Sequence, residues 1–340
     1  MNSAMTNRFR VSRALVRRLE DVGIAPLAVL RQAGLPMGLL DQEKIFVTTE
    51  ELFALYRAIP EVSDDPAIGL KLGTEERIER YDPVSIAALY ARSFRDALQR
   101  MARYKQLTCP EEIRIAERGN ECAVHFLWLL ADETEPAVLI DACFAWIVGI
   151  GRRGTGRLVN PKRVELQRAE AHRKIYEQHF RCPVKFGARQ NVLVFEKADV
   201  ERPFVTHNAD LLAIVAPQLE AELTQQLARK TMSEQVKGIL KKLLAGQRPG
   251  LETVAGELRV STRTLQRRLT GERATFQQLM EDARRELARH YLLHSSLELN
   301  ETAYLLGYED ANSFFRAFHY WEGTSPGEWR AAHVKTEHAT

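Results

Sequence analysis

Three polar side chains at a spacing suited to reading base-pair edges stand within STRTLQRRL, Ser261 to Leu269. On a helix, Arg263, Gln266 and Arg267 share one side, while Leu265 and Leu269, four residues apart, share the opposite one. A guanidinium offers paired donors to O6 and N7 of guanine, and a carboxamide matches N6 and N7 of adenine. A short helix that buries two leucines and turns Arg, Gln and Arg outward therefore suits a DNA major groove. Ser261 is placed to cap this helix by accepting an orphan amide of the first turn, with Val260 ahead of it as an apolar staple. The preceding segment, LETVAGELRV, reads as a helix with Leu251, Val254, Ala255 and Leu258 inward, and the pair reads as a helix-turn-helix.

The charge distribution supports a phosphate-facing surface in the same place. The whole chain carries only +3, but Arg259 to Arg289 holds eight arginines against four acids, a local +4. From His290 onward the balance reverses to −4. The basic footprint expected of a nucleic-acid binder thus gathers around this first helix pair.

The elements that must position such a reader come from the rest of the chain. Its 340 residues suggest two or three segments, and 45% apolar with 27% charged residues is the composition of a globular protein with a real core. No run of about 18 apolar residues occurs, so no membrane span is expected. The basic N-terminus has neither an apolar stretch nor a small-residue cleavage site, so it does not read as a secretory signal, and a cytoplasmic location is expected. Cys109, Cys122, Cys143 and Cys182 are scattered without zinc-ligand spacing and read as reduced, mostly buried thiols.

Residues 1–207 read as a regulatory domain, helical over 8–110 and α+β over 111–207. Val11, Leu15, Leu19 and Val22 make an amphipathic repeat; Pro26 opens a helix that stops at Gly34; Thr48 or Thr49 caps the next, and Ser93 a later one. EEIRIAERGNECAVHFLWLL alternates on both sides of Arg118-Gly119-Asn120, a hairpin signal. Pro136 to Arg152 reads as a helix, VELQ as a strand, Ala171 to Phe180 as a helix, then PVKFG and NVLVFEK as strands, which favours a mainly antiparallel sheet. GIGRRGTG (149–156) follows a helix rather than a strand, so it reads as a solvated turn and not a phosphate cradle.

No nucleotide-binding, metalloprotease or nucleophile-elbow motif is present, and neither cofactor nor metal is expected. His125, Trp128 and Trp146 are the candidates for lining an effector pocket, although large aromatics in such elements also serve a core. His172 and His179 near Cys182 lack a matched carboxylate or thiol and read as surface histidines.

Residues 208–231 read as an interdomain helix and linker, interrupted near Pro217. Leu212, Val215, Leu219, Leu223 and Leu227 form a stripe that either packs on the N-terminal domain or pairs with a second copy in a homodimer through 208–230. Residues 232–335 then form an all-α domain. Thr275 opens a long helix, LELNETAYLLG a second helix-turn-helix, and Asp310 caps ANSFFRAFHYW with Phe314 and Phe318 inward. About eighteen connecting residues at ~1.5 Å each span roughly 27 Å, close to one DNA turn.

The block from 232 to 332 closely resembles the C-terminal DNA-binding domain of the AraC/XylS family of bacterial transcription regulators. The matching residues are Ser261, Arg263, Thr264, Leu265, Gln266, Arg267, Arg268 and Leu269; Phe276, Arg284, Ala288 and Leu292; Ala303, Leu306, Gly307 and Tyr308; Phe314, Arg316, Ala317, Phe318 and Trp321; and Gly323, Ser325, Pro326 and Arg330. The resemblance implies DNA contacts from Ser261, Thr262, Arg263, Gln266 and Arg267, and from Ala311, Asn312, Phe315 and Arg316. Ala311 and Phe315 make no hydrogen bonds, so the second set is the weaker reader and is expected mainly to position the protein. Thr302 stands where the family usually carries a branched aliphatic, which implies looser packing in that half.

The front two-thirds is similar to the arabinose-binding-type N-terminal domain of the branch with ornithine-utilisation-type regulators, through DPAIGLKLG, CPVKFG, NVLVF and RPFVTHNADLL. It lacks the evenly spaced short strands of a jelly-roll sensor, and the label does not imply that arabinose binds. The expected function is a sequence-specific transcription regulator, an activator by resemblance, with promoter DNA, RNA polymerase and a small-molecule effector as partners. The alternative is an enzyme with an appended DNA-binding module; it would need an activated nucleophile or metal set, and the four cysteines lie in apolar surroundings that raise thiol pKa.

Overall fold

Phe9–Val11 (β1) pairs antiparallel with Ile45–Val47 (β2), Phe9 lying opposite Val47. The computed structural model describes residues 8–42, 44–128, 131, 133–156, 159–229, 231–244, 246–294 and 297–336. The front region expected to be wholly helical thus carries a two-stranded ribbon. Val11, counted in the helical repeat, belongs to the strand, and α1 (Ala14–Asp21) begins after it. Strands of three residues leave too little alternation to stand out from an adjoining helical period.

The helices that follow start where their caps dictate. Pro26 opens α2 (Pro26–Gln32), and Gly34 takes a left-handed φ of +66° just beyond it. Thr48 and Glu51 form a reciprocal capping box on α3 (Thr49–Ala58). After α4 (Ile68–Gly73), Asp82 caps α5 (Pro83–Leu89) and Ser93 caps α6 (Phe94–Tyr104).

The hairpin is β3 (Glu111–Arg118) and β4 (Glu121–Trp128), followed by α7 (Ala137–Thr155), β5 (Arg163–Glu165), α8 (Arg173–Phe180), β6 (Val184–Lys185), β7 (Val192–Glu196) and α9 (Lys197–Val200). The sheet order is β3-β4-β7-β5-β6, antiparallel except for the β5–β6 pair. Cys122, Val124, Phe126 and Trp128 alternate onto its buried face. The glycine-rich run read as a solvated turn is instead the end of α7, stopped by Gly156 at φ +59°. Gly151 and Gly154 are buried; a Cβ at Gly151 would meet the Phe94 ring at 2.8 Å, and one at Gly154 would overlap Phe204. Here glycines serve close packing inside a helix, which a turn-residue reading misses.

The next helix, α10 (Ala209–Arg229), continues through Pro217 without the expected interruption; Pro217 is exposed. Leu212, Leu219 and Leu223 are buried against Val84, Ala87 and Tyr104. Arg103 and Tyr104 of α6 both bond Glu220, with the Tyr104 hydroxyl at 2.8 Å. The leucine stripe is therefore covered by its own domain as far as Leu223; the Leu227 side chain lies outside the described residues. Two compact units result: residues 1–131 with 135–223, and residues 132–134 with 224–340, dividing inside α10.

The second unit is all helical: α11 (Met232–Leu243), α12 (Leu251–Glu257), α13 (Thr262–Gly271), α14 (Phe276–His294), α15 (Leu299–Leu305), α16 (Ala311–Glu322) and α17 (Pro326–Thr336). Val236, Leu240, Val254, Leu265, Leu269, Ala283, Leu306, Phe314 and Phe318 build one core, each at most 2% exposed. Among the described residues no helix is long and apolar enough to cross a membrane.

Candidate functional site

The Ser261 hydroxyl accepts the Thr264 amide at 3.2 Å and fixes where α13 begins. Leu265 and Leu269 anchor its inner face in the core, and geometry then forces Arg263, Gln266 and Arg267 outward. All three are exposed, and none of their side chains bonds another described residue. Thr262 is half-buried at the helix start. Arg268 is exposed beside them and extends the basic surface, a residue the base-contact reading passed over. Arg259 and Arg273 bracket the helix with left-handed φ of 54° and 57°, positions where glycine would be easier. Two further charges are thereby set at the entry and exit of α13.

Not all the arginines counted in the basic footprint face solvent. Arg284 is buried and donates to the carbonyls of Leu306 and Gly307 at the end of α15. Arg285 and Arg289 both engage Glu322 of α16, at 2.7 and 2.9 Å. Burial opposes ionisation of Glu322, but the two guanidinium groups hold its pKa below the ordinary glutamate value. Three of the eight arginines thus tie α14 to the second helix pair, and the positive surface narrows to the stretch from Arg259 to Arg273.

The second outward helix is differently equipped. Asp310 caps α16 by accepting the Ser313 amide at 2.8 Å, leaving Asn312 and Arg316 exposed one turn apart. Ala311 and Phe315 are half-buried and pack on the domain core, with the Phe315 ring 5.8 Å from that of Phe314. Those two expected contacts are therefore turned in part toward the core, because the aromatic cluster of Phe314 and Phe318 recruits them. His319 and Tyr320 are exposed on the same helix, Tyr320 at 86%. Thr302 is fully buried, and its hydroxyl donates to the Glu298 carbonyl at 3.1 Å, so its polarity is satisfied inside the helix rather than loosening the core.

A second feature lies in the first unit: a cavity of about 270 Å³ whose wall includes Trp128, Trp146, Tyr56 and Lys105. It brings together two of the three effector candidates. His125 alternates to the other sheet face, opposite Arg114, and is not on the wall. The Trp146 indole N–H donates to Ser85 Oγ at 2.9 Å, and that of Trp128 to Glu135 at 3.0 Å. Burial raises the pKa of all four cysteines, Cys109 and Cys182 to about 11. Among the described residues no cluster of His, Cys, Asp or Glu could hold a metal ion. His172 is exposed, while burial pulls half-buried His179 down to a pKa of about 4.

Comparison with known proteins matches residues 23–204 to the arabinose-binding domain of AraC transcription regulators and residues 254–332 to a helix-turn-helix domain. The regulator VirS of Mycobacterium tuberculosis is 26% identical over 92% of this chain and 93% of its own. The ornithine utilization regulator of Pseudomonas aeruginosa is 25% identical over 94% of each chain. Among solved structures, the transcriptional regulator CdpR from Pseudomonas aeruginosa is similar at 22% identity and a TM-score of 0.46, over 94% of this chain and 97% of that one.

Proposed function

This chain belongs to the AraC family of transcription regulators, and we propose that it activates transcription by setting α13 and α16 in successive major grooves of a promoter. On this reading α12–α13 and α15–α16 are two helix-turn-helix units joined by α14, whose 19 residues span roughly 28 Å at ~1.5 Å each. The observation that carries it is the outward, unengaged Arg263, Gln266 and Arg267 on a capped helix anchored by two buried leucines. Arg263, Gln266 and Arg267 read bases, with Ser261 and Thr262 at the backbone. Asn312 and Arg316, flanked by Ala311 and Phe315, chiefly fix register.

Activation, with RNA polymerase as the partner, follows the direction the family resemblance favours. The N-terminal unit supplies control by a small molecule bound in the Trp128–Trp146 cavity. A homodimer through 208–230 would have to use the outer face of α10, where Ile214 is 61% exposed, since the leucine stripe is occupied.

The test is a mobility shift of the full chain on the DNA upstream of its own gene, at 50 and 200 mM salt. A specific shift that weakens steeply with salt supports the proposal, as counterion release requires. A shift indifferent to sequence, or none at either salt, contradicts it.

A further inference from the structure

Among the described residues, three cationic side chains line the cavity: Arg18 bonds Glu75 and the Leu72 carbonyl, Arg80 bonds Asp21, and Lys105 lies beside two aromatic rings. The Lys105 side chain is 11% exposed, and its ammonium lies 5.5 Å from the Trp146 ring centre and 5.6 Å from that of Phe126. An ammonium carries three donor hydrogens. One serves the Glu111 carboxylate at 2.8 Å; the next neighbour, the Cys143 sulfur at 3.9 Å, is a poor acceptor. Glu111 itself is buried and is not part of the wall. Tyr56 is on the wall as well, and its hydroxyl makes no hydrogen bond with a described residue. One cavity is thus lined by an ammonium with donor capacity beyond its Glu111 bond and by a phenol hydroxyl with no hydrogen bond to a described residue.

We propose that this cavity binds a small monocarboxylic acid, its carboxylate held by Lys105 and Tyr56 and its apolar body lying against Trp128 and Trp146. A carboxylate supplies two acceptor oxygens on one carbon and complements a buried ammonium, whereas an amine would place a second cation beside it. Indole faces and aliphatic wall residues such as Leu15, Leu52 and Leu139 take an apolar chain or ring.

The ionisation states agree with this geometry. Burial works against the Lys105 charge, but the acidic groups around it, Cys109, Cys143 and Glu111, hold its pKa well above the ordinary lysine value. Burial, reinforced by Glu111, raises the pKa of Glu135, which is not part of the cavity wall. Burial above all keeps the Tyr56 phenol protonated, a donor at neutral pH.

This assignment rests on the effector-control reading, and its test separates the two. Thermal unfolding of the full chain is followed with octanoate and phenylacetate, and with octanamide and octylamine as controls. At a hundredfold excess over Kd, one acid raises Tm by about 5 °C, and the amine does not. Tyr56→Phe, which removes only an unpartnered hydroxyl, weakens acid binding about tenfold. Lys105→Met abolishes it; the double variant Lys105→Met with Glu111→Gln gives the same answer without leaving a buried carboxylate unpaired. Failure of both acids to shift Tm, equal stabilisation by octylamine, or undiminished acid binding in Tyr56→Phe and the double variant overturns the assignment. An acid that binds as described but leaves DNA occupancy unchanged supports the chemistry of the cavity and removes only the control reading.

Discussion

The guanidinium of Arg284 lies 4.2 Å from the centre of the Tyr308 ring while its Nε and Nη2 donate to the carbonyls of Leu306 and Gly307 at 2.9 and 2.8 Å. One side chain of α14 thus caps the C-terminus of α15 and seats the turn that leads to α16.

Arg284→Ala removes two charge-assisted hydrogen bonds, one of them to the carbonyl of buried Leu306, which costs about 2–4 kcal/mol. Arg284→Lys recovers little, because an ammonium cannot fork to two carbonyls and lie flat on a ring. Urea unfolding measures the loss, and hydrogen exchange locates it in α15 and the start of α16. An unchanged midpoint would show that the turn is held by other contacts.

The glycines of α7 give opposite outcomes within one motif. Gly154→Ala drives a methyl group into the Phe204 ring and destabilises the first unit by about 1–3 kcal/mol. Gly149 has nothing within 4 Å of an added Cβ, so Gly149→Ala stabilises by up to about 1 kcal/mol through helix propensity. Thermal unfolding of both variants decides whether the run is a packed helix end. Equal effects would return it to the status of a loop.

Acid sensitivity follows from Glu220. The Arg103 side chain, with help from Tyr104, lowers its pKa from 4.5 to about 2. A depressed folded-state value means stability that is fully present above pH 4.5 and lost as pH falls through 2. The pair is well exposed, so its contribution is discounted to about 1 kcal/mol or less. Glu220→Gln lowers Tm at pH 7, and its difference from the parent chain closes between pH 4.5 and 2. A difference that stays constant across that range would exclude the ion pair as its source.

Much of this protein was legible in its sequence, and the reasons are local. Ser261, Thr48, Ser93 and Asp310 cap helices where short polar side chains precede apolar periodicity, and the 111–128 hairpin alternates cleanly. What escaped notice is set by distant partners. Arg285 and Arg289 are drawn inward by Glu322, more than thirty residues away, so a count of arginines overstates the DNA-facing charge. His125 and Trp128 differ by an odd number of strand positions and cannot share a face, a signal present in the alternation but overridden by their residue types. Tyr56 of α3 and Lys105, just past the end of α6, line one cavity, which spacing in the chain does not announce.

The division of labour between the two outward helices is tested most directly by selecting binding sites from randomised duplex DNA with the parent chain, Gln266→Ala and Asn312→Ala. Gln266→Ala is expected to relax base preference at one position by about 1–3 kcal/mol, while Asn312→Ala weakens binding evenly across sequences and leaves the selected site unchanged. If Asn312→Ala erased more base preference than Gln266→Ala, α16 and not α13 would be the principal reader, and the account would be wrong at its centre.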